Sequence, residues 1–236
     1  MKRHASLNRI YRLVWNEVLQ AWVAVAEIAR GRGKSSAKKL IAAMLAVGAI
    51  SAHAAPTGGV VTAGSATIGQ TGNTTTIRQS SGNVSINWSG FNIAPSETVD
   101  FIQPSATSVA VNRIYSTNGT QILGHLDANG QVWLLDPNGI LFGQGAQVNV
   151  GGLVASTLSS VSMNGNTASF SGNGTGSIVN QGSLNGKYIA LIGNTVSNTG
   201  TITAQLGTAA LGAGSAVTLT FSGNNLVQMQ VDQNDR

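Results

Sequence analysis

From about residue 55 onward the chain alternates short aliphatic runs with small polar punctuation. The runs at residues 74–79, 84–88, 109–114, 131–135, 140–143, 147–150, 153–158, 188–192, 202–206, 217–221 and 226–231 have the length and content of strands. Between them stand turn formers: Ser81-Gly82-Asn83, Asn118-Gly119, Asn129-Gly130, Pro137-Asn138-Gly139, Asn185-Gly186 and Asn224-Asn225. No stretch of this region keeps apolar residues at helical spacing long enough to define a helix. The pattern predicts an all-β fold.

A weak repeat refines it. Ile178-Val-Asn-Gln-Gly-Ser-Leu184 is echoed by Val196-Ser-Asn-Thr-Gly-Thr-Ile202, which places Asn180/Asn198 and Gly182/Gly200 eighteen residues apart. Repeats of about 20 residues with Asn and Gly at the turns suggest a solenoid of stacked strands. Stacking like on like gives inward aliphatic columns and allows asparagine ladders. On periodicity alone a β-sandwich competes. Trp88, Phe91, Phe101, Tyr115 and Trp133 lie early, either capping the solenoid's first coil or filling its core.

The first 55 residues follow another rule. Ile10, Val14, Val18, Trp22, Val25 and Ala29 recur at steps of three or four, flanked by Arg9, Arg12, Arg30 and Arg32, as in an amphipathic helix drawn to an anionic membrane surface. Lys38-Lys39 then precede the apolar run 40–49, and Ala52-His53-Ala54 fits the A-x-A rule for signal cleavage at Ala52 and Ala54. The run falls short of the roughly 20 apolar residues a membrane span takes. Residues 1–54 therefore read as an extended signal peptide, with a basic extension (1–37) and a hydrophobic core with cleavage site (38–54); residues 55–236 form the exported domain. Gly33-Lys34-Ser35 mimics the tail of a phosphate-binding loop, but Ile28 stands where the motif needs glycine.

Charge follows the same division. Nine of the thirteen Lys and Arg residues lie in the leader; the remainder holds four bases against six acids, a net charge of −2. That offers no basic patch for nucleic acid. There is no cysteine, so burial and backbone hydrogen bonding must hold the exported domain together. Candidate chemistry is sparse. His125 and Asp127 share a strand face but lack an evident third partner, and Asp127 and Asp136 lie on separate runs. Neither a metal site nor a cofactor site is expected, and the chain reads as a non-enzyme.

Several strings resemble a known family. The leader Asn8-Arg-Ile-Tyr-Arg-Leu-Val-Trp-Asn16, continuing to Glu27-Ile-Ala-Arg-Gly-Arg-Gly-Lys-Ser35, resembles the extended signal peptide region of large Gram-negative exoproteins. Val109-Ala-Val-Asn-Arg-Ile114, Gly130-Gln-Val-Trp-Leu-Leu-Asp-Pro-Asn-Gly-Ile-Leu-Phe-Gly143 and Ala146-Gln-Val-Asn-Val-Gly-Gly-Leu-Val-Ala-Ser-Thr-Leu158 resemble the N-terminal secretion domain of the filamentous haemagglutinin family of two-partner secretion proteins. The resemblance implies a right-handed parallel β-helix with an N-terminal cap, preceded by a helical signal peptide. It implies export through the general secretion machinery, then recognition in the periplasm by an outer-membrane β-barrel transporter with POTRA domains. Host-cell surface receptors are the further partner class it brings. The family's recognition motif, Asn-Pro-Asn-Gly-Ile, is matched by Asp136, Pro137, Asn138, Gly139 and Ile140, with Asp in place of the commoner Asn. Asp and Asn both start turns by accepting a backbone hydrogen bond two residues on.

The function expected is therefore export targeting of a secreted surface adhesin. A self-contained β-helical module binding host glycan or protein is the competing class. Exoproteins of this family usually continue far beyond the secretion domain, so a fragment, a truncated product and a short member all stay open.

Overall fold

Thr75, Val99, Leu126, Val148, Leu184 and Ile202 come from six separate stretches of the chain, yet each is the register partner of the next. They are one column inside a parallel β-helix. The computed structural model describes residues 11–16, 21–26, 55–205 and 207–232, and its contacts divide the chain into two units, Met1–Ser51 and Ala52–Arg236.

The second unit winds through about six coils with three faces. Face one stacks Thr74–Gln79, Thr98–Ile102, His125–Ala128, Gln147–Asn149, Ser183–Gly186 and Thr201–Ala204. Face two stacks Asn83–Trp88, Val109–Ile114, Gln131–Leu135, Gly152–Ser156, Ile189–Gly193 and Ala209–Ala213. Face three stacks Thr120–Ile122, Ile140–Phe142, Ser177–Asn180 and Thr195–Asn198. Each coil advances the helix by one strand spacing, about 4.8 Å. Inward aliphatics fill the space between the faces: Ile77, Ile86, Trp88, Phe91, Leu126, Val132, Leu153 and Ile189 are buried in one continuous core. Asn112 sits in the same core, where its Oδ1 accepts from the Trp88 indole at 2.9 Å and its Nδ2 donates to the Ala110 carbonyl at 3.1 Å. The pairing satisfies a buried donor that would otherwise cost about 1–3 kcal/mol.

The eighteen-residue echo is two successive coils in register. Ile178 pairs with Val196 and Asn180 with Asn198, and Asn180 Nδ2 donates to Asn198 Oδ1 at 2.7 Å, the asparagine ladder that stacking predicts. The N-terminal cap is also present. Val60–Ala63 runs antiparallel to Asn83–Trp88, and Ala66–Thr71 runs antiparallel to Thr74–Gln79, so both long faces are closed at that end.

Face two departs from simple inside–outside alternation. Its outward column Val111, Trp133, Val154 and Ala190 is as buried as its inward one. The cover is a four-stranded antiparallel sheet of Ser160–Asn164, Thr167–Ser171, Ala216–Ser222 and Asn225–Asp232. A second core lies between them: the Trp133 ring stacks on Phe221 at 5.8 Å and meets Phe170 at 5.6 Å. The Trp133 indole donates to the Tyr188 hydroxyl at 2.8 Å, which donates to Gln131 Oε1 at 2.7 Å. Full burial pushes the Tyr188 phenol far above its ordinary value, so it keeps the proton this chain of bonds requires. Of the early aromatics, then, Trp88, Phe91 and Phe101 fill the inner core, Trp133 the outer one, and Tyr115 is exposed.

In the first unit the expected amphipathic helix is corrected where the chain is described. Tyr11–Asn16 and Ala21–Ala26 form an antiparallel pair with Trp15 opposite Trp22 and Val14 opposite Val23. The helical spacing coexists with adjacent Val14-Trp15 and Trp22-Val23, and aromatic and β-branched residues favour paired extended chain. The apolar run 40–49 and the cleavage residues Ala52 and Ala54 lie outside the described residues.

Candidate functional site

The segment Asp136-Pro137-Asn138-Gly139 carries the third coil from face two to face three and delivers Ile140 into the core. The Gly139 N–H donates to the Asp136 carbonyl at 3.0 Å, closing a four-residue turn with Asp first, Pro second and Gly fourth. Gly139 takes φ +106, a region side chains disfavour. The Asp136 side chain is fully buried and turns inward. Its Oδ1 accepts from the Asn138 N–H at 2.9 Å and its Oδ2 accepts from the Thr120 hydroxyl at 2.7 Å.

Neighbouring coils hold this turn on both sides. On one, Asn138 Nδ2 donates to the Ser116 carbonyl at 2.6 Å, and the Thr120 N–H donates to the Gly139 carbonyl at 2.9 Å. On the other, the Gly176 N–H donates to the Pro137 carbonyl at 3.0 Å. Gly176 must be glycine for contact reasons: a Cβ there would lie 2.2 Å from the Gly139 nitrogen and 2.3 Å from the Asn138 carbonyl carbon. Asn138 is exposed and Pro137 partly so, while Asp136, Gly139 and Ile140 are buried. The five residues of the motif are thus divided: three build the turn and two present it.

The Asp-for-Asn departure is internal. An asparagine at 136 would still accept from the Asn138 N–H through Oδ1, and its Nδ2 would donate to a Thr120 hydroxyl turned to accept. What changes is titration. Burial raises the Asp136 pKa, partly offset by the hydrogen bonds from Thr120 and Asn138. A folded-state pKa above the unfolded one means the unfolded chain releases its proton first, so stability falls as pH climbs from the ordinary carboxylate range through the raised value. Asp136→Asn is expected to remove that step: in urea unfolding, the variant gains on the parent as pH rises out of the ordinary carboxylate range. Parallel pH profiles would contradict the assignment.

His125 and Asp127 lie elsewhere, on the outer side of face one. There Asp127 Oδ1 accepts from Asn149 Nδ2 and Asn149 Oδ1 accepts from Asn185 Nδ2, both at 3.1 Å. Asp100 is the register partner of Asp127; burial, then the Asp127 charge, raises its pKa against the lowering effect of Arg78. These groups form a polar ladder along the helix axis and do not converge with Asp136. Thr120, Ser116 and Gly176, which hold the turn, are absent from the motif, because they reach it only through the stacking of coils.

Residues 52–235 match the family described as the TPS secretion domain. The chain belongs to that family. Residues 8–55 match the extended signal peptide of type V secretion systems, and the two together mark a protein secreted to the cell surface or the medium. A heme/hemopexin-binding protein of Haemophilus influenzae is 38% identical over 194 residues, which is 75% of this chain and 21% of that protein. A second such protein from the same species is 44% identical over 97 residues, 40% of this chain and 10% of its own length. The chain thus spans a small part of these relatives. Among solved structures, the HMW1 secretion domain from Haemophilus influenzae superposes with a TM-score of 0.62 at 32% identity, covering 75% of this chain and 50% of that one. The filamentous hemagglutinin secretion domain superposes with a TM-score of 0.52 at 16% identity, covering 76% and 70%, a likeness of fold alone. Export targeting is thereby supported over the self-contained binding module.

Proposed function

We propose that this TPS domain is the export-targeting element of a secreted adhesin-like exoprotein, and that the turn at Asp136–Ile140 presents Asn138 and Pro137 to the periplasmic POTRA domains of an outer-membrane β-barrel transporter. The observation that carries the reading is the division of the motif. Asp136 commits both carboxylate oxygens inside the fold, whereas Asn138 is held at the surface by Ser116. Presentation, not chemistry, is what this arrangement performs, and the protein acts without catalysis. Residues 1–54 deliver the chain to the periplasm and are removed after Ala54; residues 55–236 are then recognised. Host-cell receptors engage the exported protein after this step.

Asn138→Ala tests the recognition role. It removes one surface hydrogen bond, worth about 0.5–1.5 kcal/mol, so the melting temperature should move by only a few degrees. Export in cells carrying the cognate barrel is expected to fall by at least tenfold. Undiminished export of the variant would remove the turn from the recognition surface.

A further inference from the structure

The antiparallel sheet over face two ends at Ser160–Asn164, which among the described residues pairs on one side only, with Thr167–Ser171. Its other side presents free backbone donors and acceptors, without the charges, prolines or bulges that usually guard an edge. Alongside it runs a groove of ≈ 290 Å3, lined among others by Val84, Ser85, Val111, Arg113, Val161 and Met163. Met163 is 46% exposed. Among the described residues Arg113 is the one charged residue in the lining and no acid lines the groove; the Arg113 guanidinium donates to the Ser85 hydroxyl.

We propose that this edge and groove receive a single extended segment of a partner polypeptide, added as a fifth strand antiparallel or parallel to Ser160–Asn164. Its groove-facing side chains are apolar against Val111 and Met163 and carboxylate against Arg113. Main-chain bonds to the open edge supply affinity, and alternate side chains supply specificity. A second copy of this chain does not fit. Face two continues past this edge through Asn83–Trp88 and Val60–Ala63, which contribute Asn83, Val84, Ser85 and Ala63 to the groove. Two edges paired about a twofold axis would place one copy's coils in that same space. A lone strand needs only one strand spacing, about 4.8 Å. The Arg113 charge, which faces no carboxylate among the described residues of the lining, selects an acidic occupant over a neutral or basic one.

The test uses the purified protein and a fluorescein-labelled peptide, Thr-Val-Thr-Asp-Thr-Val-Thr, beside a counterpart with Lys for Asp. By fluorescence polarisation the acidic peptide is expected to bind saturably and about tenfold or more tightly than the basic one, with Arg113→Gln erasing the difference. Hydrogen exchange at Ser160–Asn164 should slow when the acidic peptide is added. A peptide N-methylated at alternate amides should lose binding, a control that leaves the protein unaltered. Equal affinity for the two peptides, no saturable binding, or protection confined to another strand would overturn the proposal.

Discussion

Truncating Trp133 to alanine is expected to cost about 3–5 kcal/mol of stability, as for other fully buried tryptophans. The indole is 1% exposed, packs on Phe221 and Phe170, and donates to Tyr188. Its loss opens a cavity between face two and the antiparallel sheet and removes a partner from the buried Tyr188 hydroxyl. For a domain of this size the melting temperature should fall by roughly 10 °C, readable by circular dichroism. Trp133→Phe should fall less, because it keeps most of the apolar volume. A loss below about 1 kcal/mol would show that the sheet is not held through this contact.

Gly176→Ala is expected to abolish export as completely as a change within the turn, although Gly176 lies outside the motif. The added Cβ has no room against the Gly139 nitrogen and the Asn138 carbonyl, so the turn backbone must move. Overpacking of this kind costs about 1–3 kcal/mol, leaving a folded domain with Asn138 displaced. Export near the wild-type level from a folded Gly176→Ala protein would show that transporter recognition tolerates the turn's displacement.

Much of the fold was legible in the sequence, and the reasons differ by element. Residues 74–79, 109–114 and 131–135 were readable to the residue because each aliphatic or β-branched run gives way within a few residues to Gly82, Asn118 or Pro137. The Asn180/Asn198 echo fixed a coil length because those coils carry no insertion. Short strands such as Thr120–Ile122 and His125–Ala128 left little trace. Three or four residues with polar outward positions do not make a run. The covering sheet was hidden for another reason. Leu153 and Val154 are both apolar, which fits a strand covered on both faces, but the sequence does not say by what. In the leader, spacing suggested a helix where Tyr11–Asn16 and Ala21–Ala26 pair as strands.

The turn itself was legible from Asp136-Pro137-Asn138-Gly139, since each residue type suits its position. Its supports were not. Thr120 lies sixteen residues before Asp136 and Gly176 thirty-seven residues after Gly139. The hairpin of Ser160–Asn164 and Thr167–Ser171 lengthens that coil and hides the second register.

The most direct test of the account is secretion of this chain in a Gram-negative host with and without its cognate outer-membrane barrel, by immunoblot of medium and periplasm. The account predicts signal-cleaved protein in the medium only when the barrel is present, and in the periplasm when it is absent. Cleaved, folded protein retained in the periplasm despite the barrel would contradict it.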